Sequence, residues 1–392
     1  MMTPASTTRQ GRGRGADILG GVSPLPASDR PNPRRQVPGS TIAEGLGSAV
    51  AALALVWMVF AIAGISAPFG MAVCWMMAFL FIYGVLCRVQ HGILIAKDRL
   101  ATVAIWTGAI LAFVVLAGVI GYVLFKGFSA VFVRFPHFLV ADMSQLGGNA
   151  KVTDLGVGAA VVGTVEQVGI ATIITVPLGV LTATYLASND GPLARTVSAV
   201  VDAMTGAPAI IAGLFVYLLW VVPHHTAGKT GFAAALALAV MMLPVVTRAA
   251  QEVVAIVPGS YREAALALGA PEWRVLLRVV LPAARAGLMT AIILGVARIA
   301  GETAPVLFNA GGFAGYNWNP FSGQQDNLPL RIYELIFQPG TVPIKAAWGT
   351  SLVLIIVVLI LFILARLLGS SGPGRRRRFV PWARSRSVAE FE

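Results

Sequence analysis

Eight stretches of largely apolar residues recur along this chain, near 46–65, 68–87, 101–125, 157–187, 198–222, 232–250, 287–309 and 346–368. A helix needs about 20 such residues to cross the hydrocarbon core, because each adds about 1.5 Å. In lipid the backbone must satisfy its own hydrogen bonds, so runs of this length predict an all-α polytopic membrane protein of about eight spans. Composition agrees. Of 392 residues 57% are hydrophobic and 12% charged, with mean hydropathy +0.79, whereas a soluble domain carries roughly a quarter charged residues. The first two runs are separated only around Ser66 to Phe69 and predict a helical hairpin at 46–87. The fourth is long enough to tilt, with Pro177 as a point of kinking.

The flanks differ in kind. Residues 1–40 are rich in Arg, Gly, Pro, Ser and Thr without apolar periodicity and read as a disordered basic tail. The first apolar run begins near Leu46, too far along for a secretory leader. Residues 369–392 form a second basic tail. With the N-terminus inside, 22 basic residues fall on cytoplasmic segments and six outside, which predicts both ends on the cytoplasmic side. The net charge of +12 is then explained by anionic lipid, including at Arg375 to Arg378, and no nucleic acid is expected. Cys74 and Cys87 share one apolar stretch, which argues against a disulfide framework.

Between the sixth and seventh runs lies an extended inside segment, 247–285. Ser260 with Glu263 has capping-box spacing, predicting a short helix to about Leu268 that stops at Gly269 in a left-handed cap. A second helix starts at Pro271, carries Trp273, Leu276, Leu277 and Val280 on one face, and is ended or bent by Pro282. The segment is either a knob that another protein grips or a loop lying on the membrane surface.

Within the spans, Arg298 and Glu302 are four residues apart and are expected on one helical face, with Arg298 about 15 Å from Leu288 and near the bilayer midplane. A charge there costs on the order of 3 kcal/mol and is retained where it faces protein or water. The pair reads either as an ion pair stapling the helix or as a guanidinium fork offered to an anion, with Glu302 orienting it. Glu166 in the fourth run either pairs with Arg298 or hydrogen-bonds to a backbone break. Asp202 reads as an acid near a helix N-terminus. The small and helix-breaking residues from Gly206 to Gly213 either line a cavity or pack against another helix.

Glu263, Ala264 and Ala265, then Gly269, then Val279, Leu281 and Pro282 have the spacing of the cytoplasmic loop of ABC importer permeases, which this segment resembles. With ARIAGETAPVLF at 297–308, GAPAIIAGLFVY at 206–217, MMLPVVTRAAQEV at 241–253 and GTVEQVGIATIITVPLGVLTATYLA at 163–187, residues from about 100 to 368 resemble the PstA-type permease family of phosphate ABC importers. The resemblance implies a permease core at 157–368 preceded by a transmembrane helix at 100–125. It also implies an ATPase-docking coupling helix carrying Glu263, Ala264, Ala265 and Gly269, with Leu281 and Pro282 behind it, and passage of inorganic phosphate past Arg298 and Glu302. Implied partners are two copies of an ATP-binding subunit holding ATP and Mg, a homologous second permease, an extracytoplasmic phosphate-binding protein and membrane lipid. No cofactor or metal is expected on this chain. Family members more often have GVPSI where this chain has residues 206–210, which removes a serine hydroxyl, and usually have six spans, so the 46–87 hairpin is an addition.

Other motifs carry less. Gly228, Lys229 and Thr230 lack the earlier glycine of a P-loop. His224 and His225 are two histidines without further ligands. The GRGRG stretch is low complexity. Rival readings are a permease for sulfate or molybdate, a proton-coupled carrier using Glu166 and Glu302, and a membrane scaffold. The EAA-like loop argues against the carrier, which needs no docking knob.

Overall fold

A computed structural model describes residues 39–64, 67–133, 135–144 and 156–370. The two expected tails lie almost wholly outside these residues, although Gly39 and Ser40 already belong to a helix. Among the described residues the chain is helical, without a β-strand and with one isolated bridge between Gly311 and Gln325. Seven helices among the described residues are long and apolar enough to cross a membrane, or eight if one sharply bent pair counts as a span. The chain divides into two compact units at Val114.

The first unit holds α1 (Gly39–Ala63), α2 (Pro68–His91) and the start of α3 (Ile93–Phe132). The α1–α2 hairpin is tied by the Trp75 indole, which donates to the Ala49 carbonyl at 3.0 Å. Gly92, at φ +82°, makes the turn into α3. Arg99 then donates to Glu44 at 2.8 Å, close to buried Tyr83 and Cys87. Both cysteines are free, Cys74 exposed and Cys87 buried. Helix α3 has 40 residues, about 60 Å, and starts eight residues before the apolar run. Hydropathy marks what crosses lipid, and Lys97, Asp98 and Arg99 continue the helix without adding to the apolar run.

The second unit contains a helical turn, α4 (His137–Val140), then α5 (Gly158–Ser188), α6 (Pro192–Gly206) and α7 (Ala209–His224). The expected fifth span is therefore broken: α6 and α7 meet at 109°. Proline disfavours helical geometry in the residue before it, and Ala207 (φ −72°, ψ 131°) and Pro208 (φ −59°, ψ 141°) are extended. Helix α8 (Gly231–Ala255) is the hub, its N-terminus capped by the Thr230 hydroxyl accepting from Ala233 N. It packs against α5 through Gly179 and Val246 and through the Thr175 hydroxyl, which donates to Ala239 O at 3.3 Å. Small residues let helices approach closely where lipid supplies no hydrophobic drive.

After α8 come α9 (Gly259–Ala267) and α10 (Glu272–Ile299). Pro282 neither ends nor sharply breaks α10, contrary to expectation. A π-helical turn at Leu276–Val280 immediately precedes it and accommodates the missing amide and the bulk of the ring. That turn also disperses the expected apolar face: Trp273 and Leu277 are exposed, while Leu276 is half-buried and Val280 buried. Helix α10 rests on α8 where a Cβ at Gly287 would lie 2.5 Å from Val253, and one at Gly295 2.7 Å from Val246. The last described elements are α11 (Ala304–Asn309), an irregular segment, α12 (Leu328–Phe337) and α13 (Thr341–Ser370).

Candidate functional site

The apolar contact between α8 and α10 fixes which way Arg298 points. Ile299 and Gly295 are buried toward α8, alongside Leu238, Met242 and Val246, so Arg298 and Leu294 emerge on the exposed side. Helix α10 then stops. Ala300 to Thr303 form a turn and an irregular link, and α11 restarts with Pro305 in its first turn. The expected common helical face for Arg298 and Glu302 is therefore not formed, because one residue ends a helix and the other lies in the break. Among the described residues neither side chain makes an ion pair or hydrogen bond, so the stapling pair is absent. Arg298 is exposed and Glu302 half-buried.

Helix α7 fixes the far side of this break. Asn309 Nδ2 donates to Gly213 O at 3.0 Å and to Pro305 O at 2.7 Å, and Gly213 leaves room for the Pro305 backbone, which a Cβ would approach to 2.7 Å. Within 206–213, then, Gly213 serves packing, and Ala207 and Pro208 make the bend.

Glu166 does not pair with Arg298. Half-buried on α5, it accepts a hydrogen bond from Gln325 Nε2 at 2.5 Å. It belongs to a polar network between α5 and the segment before α12. Gln167 Nε2 donates to Gln325 Oε1 and to Asp326 O, both at 3.1 Å; Asn327 Nδ2 returns to Gln167 Oε1 at 3.0 Å; and Leu328 N donates to the Thr164 hydroxyl at 2.8 Å. Gly163 and Gly231 make room for Asp326 O and Gln325 Oε1, which a Cβ at either glycine would overlap. Beyond it, Arg331 Nε meets Asp326 at 2.5 Å and Arg331 Nη1 meets Glu334 at 3.1 Å. Burial pushes the Asp326 carboxyl up to about 7, against the opposing pull of Arg331 and the Asn327 amide. The sequence signal for this network was Gln167 beside Glu166 inside an apolar run. Gly163→Ala is expected to displace the 325–328 segment and cost about 1–3 kcal/mol, read as a lower apparent Tm in detergent.

At the other end of the bundle, α9 starts at Gly259 with Pro258 as its cap residue and no side-chain cap. The expected Ser260–Glu263 box is not formed, because helix already begins ahead of Ser260. The predicted stop is present. Gly269 has φ +78°, its amide donates to Leu266 O at 2.9 Å, and the Ala270 amide donates to Ala265 O at 3.2 Å. Glu263, Ala264, Gly269 and Pro282 are exposed; Ala265 and Leu281 pack partly against Ala183, Val254 and Val280. Leu268 is 89% exposed. Beneath α9 a cleft of about 520 Å³ is lined by Tyr185, Asn189, Arg262, Glu272 and Trp273 among others.

Asp202 does not occupy a helix N-terminus. It lies well along α6 and accepts from Arg248 Nη2 at 2.5 Å.

A helical bundle with spans of bilayer length, a charged break beside a central helix and a short glycine-stopped helix at one end defines a polytopic membrane protein. The sequence profile of the binding-protein-dependent transport system inner membrane component family matches residues 175–371, and the chain belongs to that family. It is 37% identical over 287 residues to phosphate transport system permease protein PstA 1 of Mycobacterium tuberculosis strain H37Rv, covering 72% of this chain and 90% of that protein. It is 38% identical to phosphate transport system permease protein PstA of Mycobacterium leprae (67% and 85%). A probable PstA of Methanocaldococcus jannaschii is 33% identical (68% and 92%).

Proposed function

We propose that this chain is the membrane permease subunit of an ATP-driven importer of inorganic phosphate, forming half of the solute pathway. The observation that carries the reading is its similarity, over most of their length, to relatives named as phosphate transport system permeases. The guanidinium of Arg298, exposed and without an ion pair or hydrogen bond among the described residues, supports it, since a fork of donors suits an oxyanion. Glu302 limits how tightly the anion is held, because a conduit must also release.

Energy arrives through α9. Its exposed Glu263, Ala264 and Leu268 dock on an ATP-binding subunit dimer, which holds ATP and Mg; a second, homologous permease completes the pathway and an extracytoplasmic binding protein delivers phosphate. The distribution of basic residues supports cytoplasmic termini with α9 on the inner side, and the family's description as an inner membrane component supports the plasma membrane of a bacterium.

The test is uptake of labelled phosphate, sulfate and molybdate into vesicles containing the assembled complex, with and without ATP. ATP-dependent accumulation of phosphate alone is expected. Preference for another oxyanion, or uptake without the ATPase, would overturn the reading.

A further inference from the structure

Helix α6 is weakly held. Of its fifteen residues only Ala194 and Val201 are buried. Two clefts flank it, one of about 530 Å³ lined by Asp190, Arg195, Ser198 and Gln251, the other of about 340 Å³ under the bend, lined by Leu178, Met204, Val216 and Trp220. Across the first cleft, among the described residues, the hydrogen bonds between α8 and α6 all come from one side chain of α8. Arg248 Nη2 donates to Ser198 O at 3.0 Å, to the Ser198 hydroxyl at 2.8 Å and to Asp202 at 2.5 Å, while Nη1 is braced by Gln251 Oε1 at 2.7 Å.

This tether joins two ends of the molecule. On one side, α8 packs through Ala250 and Val254 against the cluster containing Ala265 of α9. On the other, α6 leads through the Ala207–Pro208 bend into α7, which Asn309 and Gly213 bind to α11, the helix that begins two residues after Glu302. An element with clefts on both sides, an extended joint at one end, little buried apolar surface and, among the described residues, one polar attachment is free to follow whatever holds that attachment.

Building on the transport reading above, we propose that Arg248 is a positioning residue of the transport cycle: it makes α6 follow α8, and thereby sets the α7–α11 pair against the Arg298–Glu302 break. The tether transmits displacement of α9 to the solute pathway without touching solute.

The test uses the complete complex in proteoliposomes and reads phosphate accumulated per ATP hydrolysed. R248A is expected to assemble and to hydrolyse ATP but to lower that ratio about tenfold. R248K should recover part of it, since lysine supplies the charge without the planar fork, and D202A should fall between R248A and wild type. A wild-type ratio in R248A overturns the proposal; if R248A does not assemble, D202A decides, its side chain being 64% exposed. Spin labels at A203C and E252C, with Cys74 and Cys87 replaced by serine, give a readout independent of the solute, with a broader distance distribution in R248A expected and an unchanged one contradicting the tether. Failure of the wild-type complex to move phosphate counts against the transport reading alone.

Discussion

Arg298→Ala is expected to lower ATP-dependent phosphate uptake by about a hundredfold or more, with the complex still assembled. The guanidinium makes no hydrogen bond to the described part of its own chain, so its removal leaves no buried partner unsatisfied and the fold should tolerate it. Its loss falls on the anion instead. Hydrogen bonds to charged groups contribute about 1.5–3 kcal/mol each, and two from one fork exceed the roughly 2.7 kcal/mol that a hundredfold represents. Arg298→Lys should retain part of the uptake, because it keeps the charge and loses the bidentate geometry. Uptake at the wild-type rate in the alanine variant, measured at matched complex abundance, would remove Arg298 from the pathway.

Gly269→Val should act at the opposite end of the bundle and by a different route. No atom stands within 4 Å of a Cβ placed there, so crowding by neighbours is not the obstacle. The obstacle is the backbone, because φ +78° costs an L residue about 1–2 kcal/mol, and more for a β-branched one. The chain can relieve this by unwinding the stop after α9, which would re-aim Glu263, Ala264 and Leu268. Recovery of the ATP-binding subunit with affinity-purified permease should drop at least about fivefold, while thermal stability of the isolated chain changes little. Undiminished recovery would contradict docking through α9. Gly269→Asn is the informative companion, since asparagine tolerates the left-handed region and should restore most of the interaction.

The membrane-spanning character and the glycine stop were both legible in the sequence, for physical reasons that act locally. Apolar length alone determines what can cross lipid, and Gly269 followed by Pro271 marks a helix end whatever surrounds it. The charged residues at 298 and 302 were legible as chemistry but not as geometry: spacing of four implies one helical face only if the helix continues, and the Gly301 to Pro305 stretch ends it. Ala207–Pro208 was recognisable as a helix breaker, yet an apolar average over 198–222 hides a 109° turn. Pro282 misled in the other sense, because a π-helical turn absorbed it. The partners of Glu166 and Asp202 could not be read at all, since Gln325 lies 159 residues from the first and Arg248 46 from the second.

That separation has a consequence for how the chain is made. Thr164, Glu166 and Gln167 enter the bilayer with α5, whereas the groups they bind, Gln325 to Leu328, are synthesised about 160 residues later. At typical elongation rates of about 5–20 residues per second, three polar side chains wait on the order of ten seconds or more before their final neighbours exist. During biogenesis α5 must therefore be sheltered by water or by another protein rather than released into acyl chains, and chains truncated before residue 325 should be recognised as unfinished by the quality-control proteases of the cell.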